Sequence, residues 1–284
     1  MNKNYIEYMK AKDYSENTIK AYTKYTEDFL TYVNKTDEEV TYEDLVLWTG
    51  TFKHQAINTQ DMKISSVKNY FTYLYETNKI TSNPAENLKR KKIKDGDVKE
   101  KPYMSCEDLR AMVDHARTIR DKAIILLMAT TGLRVSEVIN ITYQQYIDMK
   151  EVGNHEITVC GKGKKNRTVY LADEVESTID KYLMANYYRS PDCDRLFLSF
   201  RGYELDTKNL NTTLKNIAKN AGLPYWKDVS NHCLRAAFAT TKAEQNVPIH
   251  VIQAAMGHSN IQTTMGYIKQ SQKNINKAMA SVAF

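Results

Sequence analysis

The stretch "HEITVCGKGKKNRTVYL", residues 155–171, sets the fold class. Two runs rich in β-branched residues, "HEITVC" and "RTVYL", flank "GKGKKN", a segment with two glycines; this pattern predicts a β-hairpin with Lys162 near its tip. Outward from it in both directions the apolar residues recur at helical spacing. Helices open at Ser105 with Asp108 and run through "LRAMVDHA" and the apolar "DKAIILLMATTG", and they resume from about Asp173 to the C-terminus, with one short strand expected at "RLFLS". The second half is therefore expected to be mostly helical with one small hairpin.

The first half reads as helices alone. Ser15 can cap "ENTIKAYTKYTEDFLTYV", in which Ile19, Tyr22, Thr26, Phe29 and Val33 form one stripe, and Thr41 with Asp44 resembles a capping box for "YEDLVLWTGTFKHQ". A third helix, "DMKISSVKNYFTYLYETNK", places Ile64, Val67, Phe71 and Leu74 on one face and Lys63, Ser66 and Lys68 off it; "TSNPAENL" closes the bundle with a turn. The expected architecture is mainly α: a helical domain over residues 1–88, a linker over 89–102 and a second domain over 103–284.

Charge supports the division. Residues 1–88 hold ten Lys, no Arg and thirteen acidic residues, whereas "KRKKIKDGDVKEK" at 89–101 holds seven basic and three acidic ones. Positive charge peaks at the junction, in Lys89, Arg90, Lys91 and Lys92. Such a linker could follow a phosphate backbone, or it could be a solvated tether. The total of +6 over 284 residues does not by itself imply nucleic acid. No run of about 18 apolar residues exists, and the N-terminal stretch lacks a signal peptide's apolar core, so a cytoplasmic protein is expected. Cys106, Cys160, Cys193 and Cys233 are scattered without a C-x-x-C pair, which favours small core residues over a zinc site or a disulfide framework.

Four segments of the second domain carry candidate chemistry: "TTGLRVSEVINIT" (130–142), "GKGKKNRTVYL" (161–171), "NHCLRAAFAT" (231–240) and "MGHSNIQTTMGY" (256–267). Arg134 stands at a helix start, where backbone N–H groups and a guanidinium both favour an anion; a pair with Glu137 is the alternative. Lys162 can reach outward from the hairpin, with Lys164, Lys165 and Arg167 nearby as phosphate-facing cations. His232 and Arg235 are three residues apart on a helical segment and fall on one face. His258 precedes a last helix that Ser259 or Asn260 can cap. Ile261, Ile268 and Ile275 would form its buried stripe, with Tyr267 at the margin. Gly266 is costly inside a helix and suggests a close approach.

In order, these segments read R…K…H-x-x-R…H…Y, and the pattern resembles the tyrosine recombinases, the phage integrase family that includes the Xer-like dimer resolvases. The resemblance implies a core-binding SAM-like domain followed by a catalytic domain. It implies Arg134, Lys162, His232, Arg235 and His258 as activating residues and Tyr267 as the nucleophile. Many relatives have a second His after the Arg of the H-x-x-R box, where this chain has Ala236. The implied reaction needs no metal and no ATP. Its partner would be a double-stranded DNA core site, clamped by both domains, with Lys63, Lys68, the linker cations and the hairpin cations as contacts. Four protomers would form the synapse, joined by the C-terminal segment 272–284. Resolution in a mobile element is the expected role, with integration or excision as the alternative. A type IB topoisomerase-like nicking enzyme and a non-catalytic DNA-binding regulator are rival readings.

Overall fold

The computed structural model describes residues 3–91, 102–161, 165–185, 188–258, 261 and 264–266. The chain divides into two compact units, Met1–Glu100 and Lys101–Phe284.

Among the described residues, four helices build the first unit: α1 (Lys3–Ala11), α2 (Glu16–Val33), α3 (Tyr42–Gly50) and α4 (Ile57–Glu76). Helix α2 starts where Ser15 accepts the Thr18 N–H at 3.3 Å and ends at Asn34 in the left-handed region. Helix α3 starts in a full capping box, the Asp44 carboxylate accepting the Thr41 N–H at 2.9 Å. The stripe expected on α2 is present: Ile19, Thr26 and Phe29 are buried, and Tyr22 and Val33 pack on the same core. That core is aromatic, with Trp48 set edge-on against Phe29 and Phe52 at centroid distances of 5.1 and 4.8 Å.

Two features depart from the sequence expectation. Helix α1 was not anticipated; it is held by Tyr5 and Met9, four residues apart and both fully buried, and by the Tyr5 hydroxyl donating to Asn69 at 2.8 Å. Helix α4 packs against both α1 and α2, so its buried surface is wider than one stripe. Ser66 is consequently fully buried, and Lys68 turns its ammonium to the carbonyls of Ala85, Glu86 and Leu88 at 2.9, 2.8 and 2.7 Å.

The second unit contains α5 (Cys106–His115), α6 (Ile119–Thr131), α7 (Val135–Asn140), α8 (Tyr143–Val152), β1 (Glu156–Cys160), β2 (Asn166–Tyr170), α9 (Asp173–Met184), α10 (Thr207–Asn220), α11 (Asn231–Glu244) and α12 (Ile249–Met256). A 3-10 turn at Trp226–Asp228 precedes α11. Helix α6 is the central element: Ala123, Ile124, Ile125, Leu127 and Met128 are all fully buried, and α5, α7, α9 and α11 pack around it. The hairpin is antiparallel, with Ile157 opposite Val169 and Val159 opposite Arg167. Ile157, Val159 and Val169 face the core, as a half-buried ladder requires.

"RLFLS" forms no strand. Leu196, Phe197 and Leu198 are buried in succession, which a strand alternating between core and solvent does not allow, and only isolated bridges form, Thr142 to Arg195 and Leu198 to Glu204. Cys193 and Cys233 are buried as expected, but Cys160 is exposed because it lies on the outward side of β1.

Candidate active site

The site grows from the turn between α6 and α7. Gly132 ends α6 at φ 64°, donating to the Met128 carbonyl at 3.0 Å, and Arg134 follows as the residue that caps α7. A Cβ at Gly132 would lie 2.5 Å from Phe238 Cδ1, so this turn sits directly on α11. Position 132 therefore needs glycine both for its backbone and for its neighbour.

Arg134 stands at the start of α7 and forms the expected alternative pair with Glu137. Its N–H donates to Glu137 Oε2 at 2.7 Å, Nη1 to Glu137 Oε1 at 2.8 Å and Nη2 to the Gly257 carbonyl at 3.1 Å, with the side chain 27% exposed. Glu137 is buried, and Arg167 meets it with both terminal guanidinium nitrogens, Nη1 and Nη2, at 2.7 Å. Burial alone would raise the Glu137 carboxyl pKa, but Arg167 and the N–H and guanidinium of Arg134 prevail and hold it below the usual range.

Arg235 lies on α11, almost wholly buried, and its guanidinium donates to the carbonyls of Gly132 and Met256. It thereby links the end of α6 to the end of α12. A buried guanidinium is tolerated where its donors meet acceptors, and the two carbonyls also fix its plane. His232, one turn earlier on the same helix, is exposed.

His258 follows the end of α12, where Gly257 adopts φ 63°. Its backbone N–H donates to Gln253 O at 3.1 Å, the Gln253 side chain donates back to His258 O at 3.0 Å, and its Nδ1 lies 2.9 Å from the Thr264 hydroxyl. The imidazole pKa is pushed down to about 4, first by burial and then by the charges of Arg235, Arg134 and Arg167. The ring is therefore neutral at pH 7. Nδ1 and the Thr264 hydroxyl form one hydrogen bond, and the imidazole tautomer decides which of the two donates.

Arg134, Arg235 and His258 are thus brought together by the backbone of Gly132 and of Met256–Gly257. Lys162, Tyr267, Lys164 and Lys92 lie outside the described residues, as do Ser259, Asn260, Ile268, Ile275 and the segment 272–284. Ile261 is 39% exposed, and among the described residues nothing beyond its chain neighbours and nearby helix backbone lies within 4 Å of a Cβ built on Gly266.

The cations expected at DNA divide into two groups. Lys89, Lys91 and Lys165 are exposed. Arg90 is also exposed but pairs with Asp61 at 2.5 Å, and Lys63 stands over the rings of Phe52 and Tyr25 at 4.8 and 5.7 Å. Lys68 and Arg167 are engaged inside the protein: the first caps a turn, and the second faces Glu137 because the buried carboxylate needs a bidentate partner. Glu137 and Thr264 were not singled out from sequence as site residues. The signal for Glu137 was present, an acidic residue three positions into a helix.

Comparison with known proteins places the chain in a family. Residues 102–274 match the phage integrase family, and residues 3–78 match the phage integrase N-terminal SAM-like domain. The tyrosine recombinase XerA of Pyrococcus horikoshii (strain ATCC 700860 / DSM 12428 / JCM 9974 / NBRC 100139 / OT-3) is 30% identical over 278 residues, 96% of this chain and 90% of that protein. The tyrosine recombinase XerC of Leptospira interrogans serogroup Icterohaemorrhagiae serovar copenhageni (strain Fiocruz L1-130) is 29% identical over 286 residues, 97% of this chain and 90% of that protein. The crystal structure of the XerH site-specific recombinase bound to a palindromic difH substrate shares the fold, with a TM-score of 0.72 at 19% identity, covering 93% of this chain and 79% of that one.

Proposed function

We propose, from the premise that this chain belongs to the phage integrase family of tyrosine recombinases, that it is a site-specific recombinase which cleaves and rejoins double-stranded DNA through a 3′-phosphotyrosyl intermediate. The observation that carries the reading is the convergence of Arg134, Arg235 and His258, two guanidiniums and a neutral imidazole, as Arg235 donates to the Met256 carbonyl and Arg134 to that of Gly257, the residue before His258. Such a set suits a phosphodiester in which charge grows on the non-bridging oxygens.

In this reaction the Tyr267 oxygen attacks phosphorus, the new O–P bond replaces the bond to the 5′-oxygen, and the leaving oxygen takes a proton from Lys162. His232 receives the tyrosine proton. A phenol of ordinary pKa near 10 needs either such a base or nearby positive charge to react at neutral pH. Arg134 and Arg235 hold the non-bridging oxygens and His258 donates to one of them. Attack by a 5′-hydroxyl reverses the step, and because the tyrosyl ester conserves the bond energy no ATP is consumed.

The role we favour is resolution within a mobile element. The support is resemblance to Xer-like recombinases over nearly the whole chain, with both family domains matched in order. The working assembly is a tetramer on two core sites, with segment 272–284 docking on a neighbouring protomer, and the exposed Lys89, Arg90, Lys91 and Lys165 contribute phosphate contacts. A plasmid with two host-element sites in direct repeat tests the direction. Deletion of the intervening DNA supports resolution, whereas products only between separate molecules favour integration. Tyr267→Phe abolishes covalent adducts on a nicked suicide substrate and leaves DNA binding nearly intact; binding without any adduct from the unaltered protein would instead indicate a regulator. Removing residues 272–284 impairs pairing of two sites more than binding to one, and equal losses would argue against docking.

A further inference from the structure

Arg167 was expected to face DNA, yet it is 13% exposed and all three of its guanidinium nitrogens have partners inside the protein. Glu137 Oε1 receives Nη1 of both Arg134 and Arg167, at 2.8 and 2.7 Å. Its Oε2 receives Arg167 Nη2 and the Arg134 backbone N–H, each at 2.7 Å. Two cations therefore share one buried carboxylate. Without Arg167, Arg134 and Glu137 would form a neutral pair, and an incoming phosphate would meet little net charge from that side of the site.

Arg167 also reaches the segment that carries His258. Its Nε donates to the Ala255 carbonyl at 3.0 Å. A Cβ at Gly257, whose φ is 63°, would come within 3.1 Å of Arg167 Nη1 and 3.2 Å of its Cδ, so a larger residue next to His258 would be strained and would press the guanidinium back by a few tenths of an ångström. Position 167 is on β2, opposite Val159. One side chain thus ties the hairpin to the start of α7 and to the end of α12. The planar fork makes this possible, since a lysine could offer neither the bidentate contact nor the third direction.

We propose that Arg167 is a positioning residue of the recombination site. By neutralising Glu137 it leaves the charge of Arg134 to the scissile phosphate, and by holding Ala255 it sets the turn that presents His258. The inference rests on the recombinase reading above.

The test is the single-turnover rate of adduct formation on a nicked suicide substrate, measured beside DNA affinity as a function of salt. Arg167→Met slows cleavage about 100-fold, the scale of losing one transition-state donor or misplacing it by an ångström. Affinity falls far less than the cleavage rate, because the other phosphate contacts still hold the duplex. The double variant Arg167→Met with Glu137→Gln recovers at least part of the loss, because Arg134 is no longer neutralised, and Arg167→Lys falls between the wild type and Arg167→Met. A salt slope lower by about one with a cleavage rate that only follows affinity would make Arg167 a phosphate contact and overturn the inference. A double variant no faster than Arg167→Met would overturn it also. If Arg167→Met does not fold, Arg167→Lys decides: a wild-type rate contradicts the fork, and a reduced rate at unchanged affinity supports it. An unaltered protein that binds its site yet forms no adduct removes the recombinase reading and this inference with it.

Discussion

Replacing Glu137 with alanine takes away the acceptor of four donors at once, from Arg167, from the Arg134 guanidinium and from the Arg134 N–H. Its side chain is 2% exposed, against 13% for Arg167 and 27% for Arg134. Breaking a buried ion pair from one side costs about 3–5 kcal/mol because the remaining charge stays desolvated. Here Arg134 can regain water while Arg167 cannot, which favours the lower end, about 3 kcal/mol. For a folding unit of this size that corresponds to a fall in Tm of about 6–12 °C. The carboxyl pKa in the folded state is held below its ordinary value, so the stabilisation is full above the unfolded-state value and is lost as pH falls through the folded one. The difference between wild type and variant therefore narrows in acid. Trp226 packs on the core of the second unit and Trp48 on that of the first, so Trp226 fluorescence in a Trp48→Phe background follows the relevant transition. A Tm within 2 °C of the parent at pH 7, or a difference that widens below pH 4, would refute the reasoning.

Three further outcomes follow from the same contacts. His258 has a folded-state pKa near 4, below its unfolded value of about 6.5, so the unfolded chain binds more protons between them and stability falls as pH drops through that window; His258→Gln flattens this slope in calorimetric scans, and an unchanged slope would place the titration elsewhere. Lys68→Met leaves the carbonyls of Ala85, Glu86 and Leu88 without their shared donor and costs the first unit about 1–3 kcal/mol in urea melts. DNA affinity of that variant stays within about twofold of the parent, since a cation engaged by three carbonyls contributes little at a phosphate. Gly132→Ala combines left-handed backbone strain with a 2.5 Å approach to Phe238 and costs about 2–4 kcal/mol, and it displaces Arg134, so adduct formation drops even at temperatures where the variant is folded.

What the sequence reveals here depends on the range of the interaction. Caps, stripes and the hairpin are local: Ser15, Thr41 and Ser105 each mark a helix start within three residues, and the β-branched runs at 156–160 and 166–170 pair as expected. Helix α1 was hidden because nine residues with two fully buried side chains give too weak a periodic signal; its stability comes from burial against α2 and α4. The ordered set Arg134, Arg235 and His258 was legible through resemblance, but its internal wiring was not. Nothing in local spacing shows that Arg167 meets Glu137, 30 residues away, or that Lys68 turns to a loop 17–20 residues on. Charge alone suggested DNA for both, and packing assigns them partners within the protein.

In the reaction proposed above, Tyr267 forms a covalent bond to DNA. The most direct measurement traps the unaltered protein on a nicked suicide substrate, digests the adduct and identifies the modified peptide by mass spectrometry. The expected result is one nucleotidyl phosphate, on Tyr267 through a 3′ linkage, and no adduct from Tyr267→Phe. A phosphate on any other residue, or an adduct that persists in Tyr267→Phe, would contradict it.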